Sequence, residues 1–279
     1  MDIFAPHLQS AAITIGIMGA VFGLLALLVK RRRIFASIHA ARREFLTNAW
    51  LTCLNLVILA PLFALPEEAV RAALGVNATL ADLWDGMPSA LVVLLAIALM
   101  DLVVYWRHRM EHHPLLWPIH ATHHADTAMH WLTVMRKHPL SKLLSVCVDL
   151  LLVLYMGVPA WAVAAASFIR SSWAFFIHCD VPWTLGIFGH VLISPAAHRL
   201  HHIRDERYMG RNYGNTLAIW DQVFGTYLDP APFRNCETGI AEGTRGFFGE
   251  LGRPFERRYW ARGKGRAAEE TFAESEVAA

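Results

Sequence analysis

Charge is scarce in this chain. Asp, Glu, Lys and Arg make up 17% of its 279 residues, while hydrophobic residues reach 55%; soluble domains carry about 25% and about 45–50%. Mean hydropathy is +0.36. This balance disfavours a soluble globular protein and points to a membrane protein. Cysteine is also rare: Cys53, Cys147, Cys179 and Cys236 show no C-x-x-C spacing, which argues against a thiolate zinc site and a disulfide framework. No G-x-G-x-x-G fingerprint and no cysteine cluster is present, so neither a dinucleotide nor an iron–sulfur centre is encoded. The net charge of +2 is segregated along the chain and gives nucleic-acid binding no support. No internal repeat is visible.

What the chain has instead is long apolar runs. The first, Leu8 to Val29, is uncharged for more than 20 residues, enough to cross a hydrocarbon core of about 30 Å. It has no basic residues before it and a cationic cluster after it, the reverse of a signal peptide, so it reads as a retained anchor. Lys30, Arg31, Arg32, Arg33, Arg42 and Arg43 on the connection that follows predict a cytoplasmic loop. A second run, Phe45 to Leu65, returns outward, and the loop Pro66 to Pro88, with Glu67, Glu68, Asp82 and Asp85 against Arg71, fits the outside. A third run, Ser89 to Trp106, crosses back and delivers His108 to the cytoplasmic face.

A further apolar stretch, Leu140 to Ile177, is interrupted by Gly157-Val158-Pro159. Glycine favours a turn there and proline removes a helix hydrogen bond, so the stretch reads as a tight hairpin of two helices. The hairpin matters because it returns His178 to the face that carries His108. The predicted fold is thus all-α: a polytopic membrane helical bundle of about four spans, the last a helical hairpin, with a cytosolic histidine-rich helical cap. Its expected divisions are residues 1–88 as N-terminal anchor helices, 89–230 as the catalytic domain, and 231–279 as a cytosolic extension ending in a disordered tail.

Histidine is the chemical signal. The stretch HRMEHHPLLWPIHATHH, His108 to His124, holds six imidazoles in seventeen residues, and ISPAAHRLHH adds three more. Three local patterns result: His108-x-x-x-His112, His120-x-x-His123-His124 and His198-x-x-His201-His202. Residues three and four apart share a helix face, whereas adjacent histidines diverge by about 100 degrees, which suits two neighbouring metals. Eight histidines also exceed the four positions of a tetrahedral zinc site. Neutral imidazoles suit iron, zinc, copper or nickel, and the lack of clustered carboxylates argues against magnesium and calcium.

Other polar residues have mixed roles. His178 ends a span at the expected site depth. Asp101 lies on one helical stripe with residues 105, 108 and 112 and is expected to accept an imidazole N–H; an aspartate satisfied by another span is the plainer alternative. Asp149 is similarly placed in the hairpin. His138 could orient a ligand or cap a helix. His113 and His130 suit supporting or surface roles at least as well as ligation, while His7, His39 and His190 read as structural or interfacial.

The order of HRMEHHPLLWPIHATHH, RKHP, FIHCD, SPAAHRLHH, NYGN and WDQVFGTY over residues 89–230 resembles the fatty acid hydroxylase and sterol desaturase superfamily of membrane di-iron oxygenases. The resemblance implies a cytosol-facing pair of iron ions with His108, His112, His120, His123, His124, His178, His198, His201 and His202 as ligands. Zinc is compatible with the same donors in a purified sample. Asn212, Tyr213 and Gly214, with Trp220 and Asp221, fall on the family's late motif and are expected to support the third histidine group. Ala174 departs from the similar fatty acid 2-hydroxylase branch, which carries a histidine at that place, and this tilts the resemblance toward the sterol-desaturase-like branch.

The implied activity is the hydroxylation or desaturation of an unactivated C–H position in a lipid, with dioxygen as co-substrate. The lipid would come from the bilayer, and the electrons from a separate cytochrome b5-like or ferredoxin-like protein. Two competing readings are a zinc hydrolase, since His108-Arg-Met-Glu111-His112 fits H-x-x-E-H, and a histidine-rich metal transporter, although transport sites tend to lie near the bilayer midplane. The expected location is a bacterial inner membrane, with the metal site facing the cytoplasm.

Overall fold

In the computed structural model, residues 4–60, 77–150 and 155–259 are described. Among the described residues three helices are long and apolar enough to cross a membrane: α1 (Phe4–Lys30), Ser89–Glu111 and Ala160–Ile177. Between the first two lie α2 (Arg33–Ala40), α3 (Arg42–Cys53) and the short α4 (Ala78–Asp82), so Ser89–Glu111 is α5. Then come α6 (Trp117–His124) and α7 (Pro139–Ser145), the latter widening into a π-helical turn at Val146–Leu150, and Ala160–Ile177 is α8. Three short helices complete the order: α9 (Pro195–His201), α10 (Ile219–Val223) and α11 (Phe247–Gly252). Among the described residues only single bridges, Leu192 with Leu217 and Ile203 with Thr238, pair as β-structure. The expected all-α class holds, with integral-membrane placement of the apolar helices.

The long helices face lipid with large side chains such as Leu28, Leu94 and Phe168, all more than half exposed, and meet one another through small ones. Ala96 of α5 and Ala162 and Ala166 of α8 are fully buried in one cluster with Val92, Ile97 and Val158; small residues let helix backbones approach closely where lipid offers no hydrophobic drive for association. On the other flank, Met18 and Phe22 of α1 pack on Phe175 of α8.

The turn before α8 is the one expected from Gly157-Val158-Pro159. Gly157 has φ +66, and a Cβ there would lie 2.9 Å from the Ala81 backbone, so a side chain is excluded twice over. Pro159 sits just ahead of the first turn of α8, where no N–H is missed. Residues 151–154 of the hairpin lie outside the described residues.

All three long helices deliver their C-termini to one layer. Lys30 at the end of α1 pairs with Asp180 just beyond α8, and the ends of α5 and α8 carry His108, His112 and His178. The second apolar run is only partly apolar in space. Along α3 and its π-helical continuation, Glu44, Thr47, Asn48, Thr52 and Asn55 are buried, and the first of these enter the polar layer. The expected span Phe45 to Leu65 therefore begins inside that layer; residues 61–65, like residues 66–76 of the next loop, lie outside the described residues. So do residues 260–279, which include the expected tail.

Candidate metal centre

Each histidine is placed by a short element whose start the sequence encodes. Ser194 caps α9, its hydroxyl accepting the Ala197 N–H at 3.0 Å, with Pro195 in the first turn; Pro118 likewise opens α6. These caps satisfy amide groups that a buried helix start would leave unpaired. Both helices then run into the space below α5 and α8.

Nine rings gather there in two groups. His108, His112, His120, His124 and His201 form one, and His123, His178, His198 and His202 the other; within each, the available ligand atoms lie within 4.8 Å of one another. Donors about 2 Å from an ion lie at most about 4 Å apart across it, so each group needs only a contraction of about 1 Å or less to form a coordination sphere. Adjacent histidines do separate: His124 and His201 go to the first group, while their neighbours His123 and His202 go to the second. The groups abut, with the His124 and His202 rings stacked at 4.3 Å.

Proton positions follow from the carbonyls. His108 donates Nδ1–H to the Tyr213 carbonyl at 2.9 Å, and His201 donates Nδ1–H to the Arg211 carbonyl at 2.8 Å. A neutral imidazole has one N–H, so both Nε2 atoms present bare lone pairs, and these face each other at 3.0 Å. Two lone pairs at that distance repel unless a cation lies between them and the other rings. In the second group His178 donates Nδ1–H to the Ala174 carbonyl at 2.6 Å, leaving its Nε2 bare 2.9 Å from the His198 Nε2. Both nitrogens of buried His202 and the Nδ1 atoms of His123, His124 and His198 meet no hydrogen-bond partner among the described residues. Each such group costs about 1–3 kcal/mol; His123, His124 and His198 turn their Nε2 atoms to the groups, so of these unpartnered atoms a metal would take up one nitrogen of His202.

Burial first, and neighbouring imidazoles second, hold His120, His123, His124, His198 and His202 well below the ordinary histidine range. Burial pushes His201 down to about 4 and His178 to about 3. These rings are neutral near pH 7, the form that ligates metal. The donor set is nitrogen only, which fits iron, copper, nickel or zinc better than magnesium or calcium.

The loop after α9 orients the first group. Asp221 accepts the N–H of Tyr213 at 2.7 Å, that of Gly214 at 2.8 Å and the Thr226 hydroxyl at 2.6 Å, fixing the carbonyl that receives His108. Burial pushes Asp221 up to about 6. Gly214 is required by close approach, since a Cβ would meet the Leu217 carbonyl oxygen at 2.5 Å. Asn212 adopts φ +53, a conformation asparagine tolerates. It exchanges side-chain hydrogen bonds with both backbone groups of Leu228 at 3.0 and 2.9 Å.

Two expected supporting residues sit elsewhere. Asp101 is on the inward stripe with Tyr105 and His108, but it accepts the amides of Thr216 and Leu217 at 3.0 and 2.9 Å and pairs with Arg170 at 3.3 Å. No imidazole reaches it, because an arginine on α8 and a loop amide pair occupy both oxygens. His138 caps α7, accepting the Leu140 N–H and donating to the Leu251 carbonyl. His130 caps the 3-10 turn Trp131–Met135, and His113 takes only a local Leu115 N–H. Glu111 was not foreseen as a support. It accepts from Arg107 and Ser141 at 2.5 Å each and lies 3.6 Å from His120 Nδ1. With both oxygens engaged it is not free to serve as the base that the H-x-x-E-H reading needs.

An all-α protein with membrane-length helices that end in a double histidine cluster is a narrow class. The fatty acid hydroxylase family model matches residues 93–226, which span α5 through α10. Ornithine lipid hydroxylase OlsE of Rhizobium tropici is 29% identical over 201 residues, 70% of this chain and 60% of that protein. Alkylglycerol monooxygenase of Homo sapiens is 33% identical over 129 residues, 46% of this chain and 28% of that protein. A Delta(7)-sterol 5(6)-desaturase of Leptosphaeria maculans is 28% identical over 144 residues, 48% and 36% of the two chains. This chain therefore spans between about a quarter and 60% of the length of these relatives. No solved structure matches it. Across residues 93–226 the chain is similar to the fatty acid hydroxylase and sterol desaturase superfamily.

Proposed function

We propose that this protein is a membrane di-iron oxygenase that hydroxylates or desaturates an unactivated C–H position of a lipid, using dioxygen and electrons from a separate donor protein. The observation that carries this reading is the pair of buried, nitrogen-only groups with lone pairs aimed inward. One iron would be held by His108, His112, His120, His124 and His201, the other by His123, His178, His198 and His202. Bound iron supplies the activation of dioxygen and the power to cleave the C–H bond.

The chain's own residues do the rest. The Tyr213, Arg211 and Ala174 carbonyls fix ring tautomers, and burial excludes water from the rings. The apolar flanks of α5 and α8 are a route by which a bilayer lipid reaches the layer. The relatives' names, a lipid hydroxylase, a monooxygenase and a sterol desaturase, support lipid oxidation and leave both alcohol and alkene as products.

In this reading residues 1–88 anchor, residues 89–230 catalyse, and residues 231–279 extend the polar side. The second run and the hairpin bring the spans to about four. The cations Lys30 to Arg33 lie at the end of α1 nearest the histidine layer, so the positive-inside rule supports a cytoplasmic site in a bacterial inner membrane. A cytochrome b5-like or ferredoxin-like donor would approach from that side.

The test is a comparison of total lipids from cells with and without the gene, and with His124→Ala in its place. A lipid that gains one oxygen or loses two hydrogens only with the intact gene is the expected result. Identical lipid profiles, with protein present in the membrane, would overturn it.

A further inference from the structure

Beside the histidine groups, on the side of the long helices, lies a cavity of about 230 Å³ walled by Val104 and Arg107 of α5, Arg170 and Ala174 of α8, Lys137 and Lys142. Arg107 immediately precedes His108, and Ala174 carries the carbonyl that receives His178, so the floor of this cavity adjoins both groups. Arg170 stands eight residues before His178, about 12 Å along the axis. A cavity this polar at this depth is unusual, since cations among membrane-length helices are costly and default to functional roles.

The charges do not balance. Four cations face three carboxylates: Arg107 pairs with Glu111 at 2.5 Å and Asp149 at 2.7 Å, and Arg170 pairs with Asp101. Among the described residues the ammonium groups of Lys137 and Lys142 have no carboxylate at ion-pair distance; Glu111 and Asp149, already paired with Arg107, attract Lys137 only from further off, as Asp149 does Lys142. Burial, then the nearby Arg107, pushes Lys137 down to about 8, a strain that an anion in the cavity would relieve. The volume is below the roughly 300–1,000 Å³ that encloses a whole ligand, so it admits only part of a lipid.

We propose that this cavity seats the anionic head of the substrate lipid, a phosphate or carboxylate bound by Lys137 and Lys142, so that the oxidised carbon lies near the polar head. The word substrate rests on the oxygenase reading above; the anion site itself does not. Val104 and Phe175 in the same wall favour an anion attached to an apolar chain over a free one.

The experiment follows thermal unfolding of the full chain in nonionic detergent, titrated with dihexanoyl phosphatidic acid, dihexanoyl glycerol or inorganic phosphate, with iron content measured on the same samples. Stabilisation by the phosphatidic acid and not by the diglyceride is expected. Its affinity should fall about tenfold to a hundredfold in Lys137→Gln and in Lys142→Gln and recover in Lys142→Arg, with iron content unchanged. Equal effects of the acidic and neutral amphiphiles, or full binding in both glutamine variants, would overturn the proposal. Inorganic phosphate acting as strongly as the phosphatidic acid would reduce the site to a small-anion site and overturn the lipid assignment. If the glutamine variants fail to fold, the comparison of amphiphiles on the unaltered chain still decides. Phosphatidic acid bound by a chain that takes up no iron would remove the oxygenase reading and leave the anion site standing.

Discussion

Two buried polar regions lie side by side in this protein and are built on opposite rules. In the first, Arg136 donates to the Thr122 carbonyl, Glu44, Asn48, Thr244 and Glu250, all at 2.7–3.0 Å. Arg253 adds a second guanidinium on Glu250, and Asn48 and Thr133 close on Asp126. Both arginines meet carboxylates there, and the Asp126 carboxylate is held by neutral donors. In the second region nine imidazoles converge with lone pairs facing each other, and the one carboxylate at their edge, Glu111, is already engaged by Arg107 and Ser141. A satisfied buried network ties α3, α6 and α11 together, whereas an unsatisfied one is kept for something that binds. Burial and polarity are alike in both; the state of the donors separates fold from site.

The largest effect is expected from the loss of Arg136. Arg136→Met leaves Glu44 and Glu250 buried without their shared partner, and a loss of about 3–5 kcal/mol is expected, read as a fall in thermal unfolding temperature in detergent. Acid is the next lever. Unfolded histidine titrates near about 6.5, whereas burial holds His201 near about 4 and His178 near about 3 in the folded chain. The unfolded state therefore takes up protons first. Stability of the metal-free protein should be full above about pH 6.5 and decline as pH falls toward about 4; a flat profile through that window would contradict neutral buried rings.

Smaller effects sharpen the boundary. Asp221→Asn removes one acceptor from the loop that carries Tyr213, with a cost of about 1–3 kcal/mol and iron affinity lower by about tenfold or more. His138→Ala removes a helix cap and the hydrogen bond to the Leu251 carbonyl, about 1–3 kcal/mol together, and leaves iron content unchanged, although its sequence neighbourhood resembles a histidine group. His124→Ala should change metal-free stability least, by about 1 kcal/mol or less, because the ring it deletes has a buried nitrogen without a partner. Its effect falls instead on iron content.

The site was more legible in the sequence than its surroundings. Spacing of i, i+3 and i+4 identifies His108, His120, His124, His198 and His202 because short helices convert sequence offset directly into direction. The turn before α8 was legible at Gly157 and Pro159, since backbone chemistry acts locally. The partners of Asp101 were not, because Arg170 and the Thr216 and Leu217 amides are distant in sequence and no periodicity links them. The Arg136 network joins residues 44, 48, 126, 136 and 250 for the same reason. One signal was present and overlooked: Glu44, Asn48, Thr52 and Asn55 recur every three or four residues within an apolar run, the polar stripe of a helix that faces protein rather than lipid.

The most direct test is to purify the full chain from iron-rich medium and locate its metal by anomalous X-ray diffraction, with His202→Ala measured alongside. Two ions per chain are expected, one centred in each imidazole group and ligated by nitrogen, with the substitution removing the ion between His123, His178 and His198. A single ion bridging both groups, or metal bound elsewhere with the rings left empty, would contradict the account.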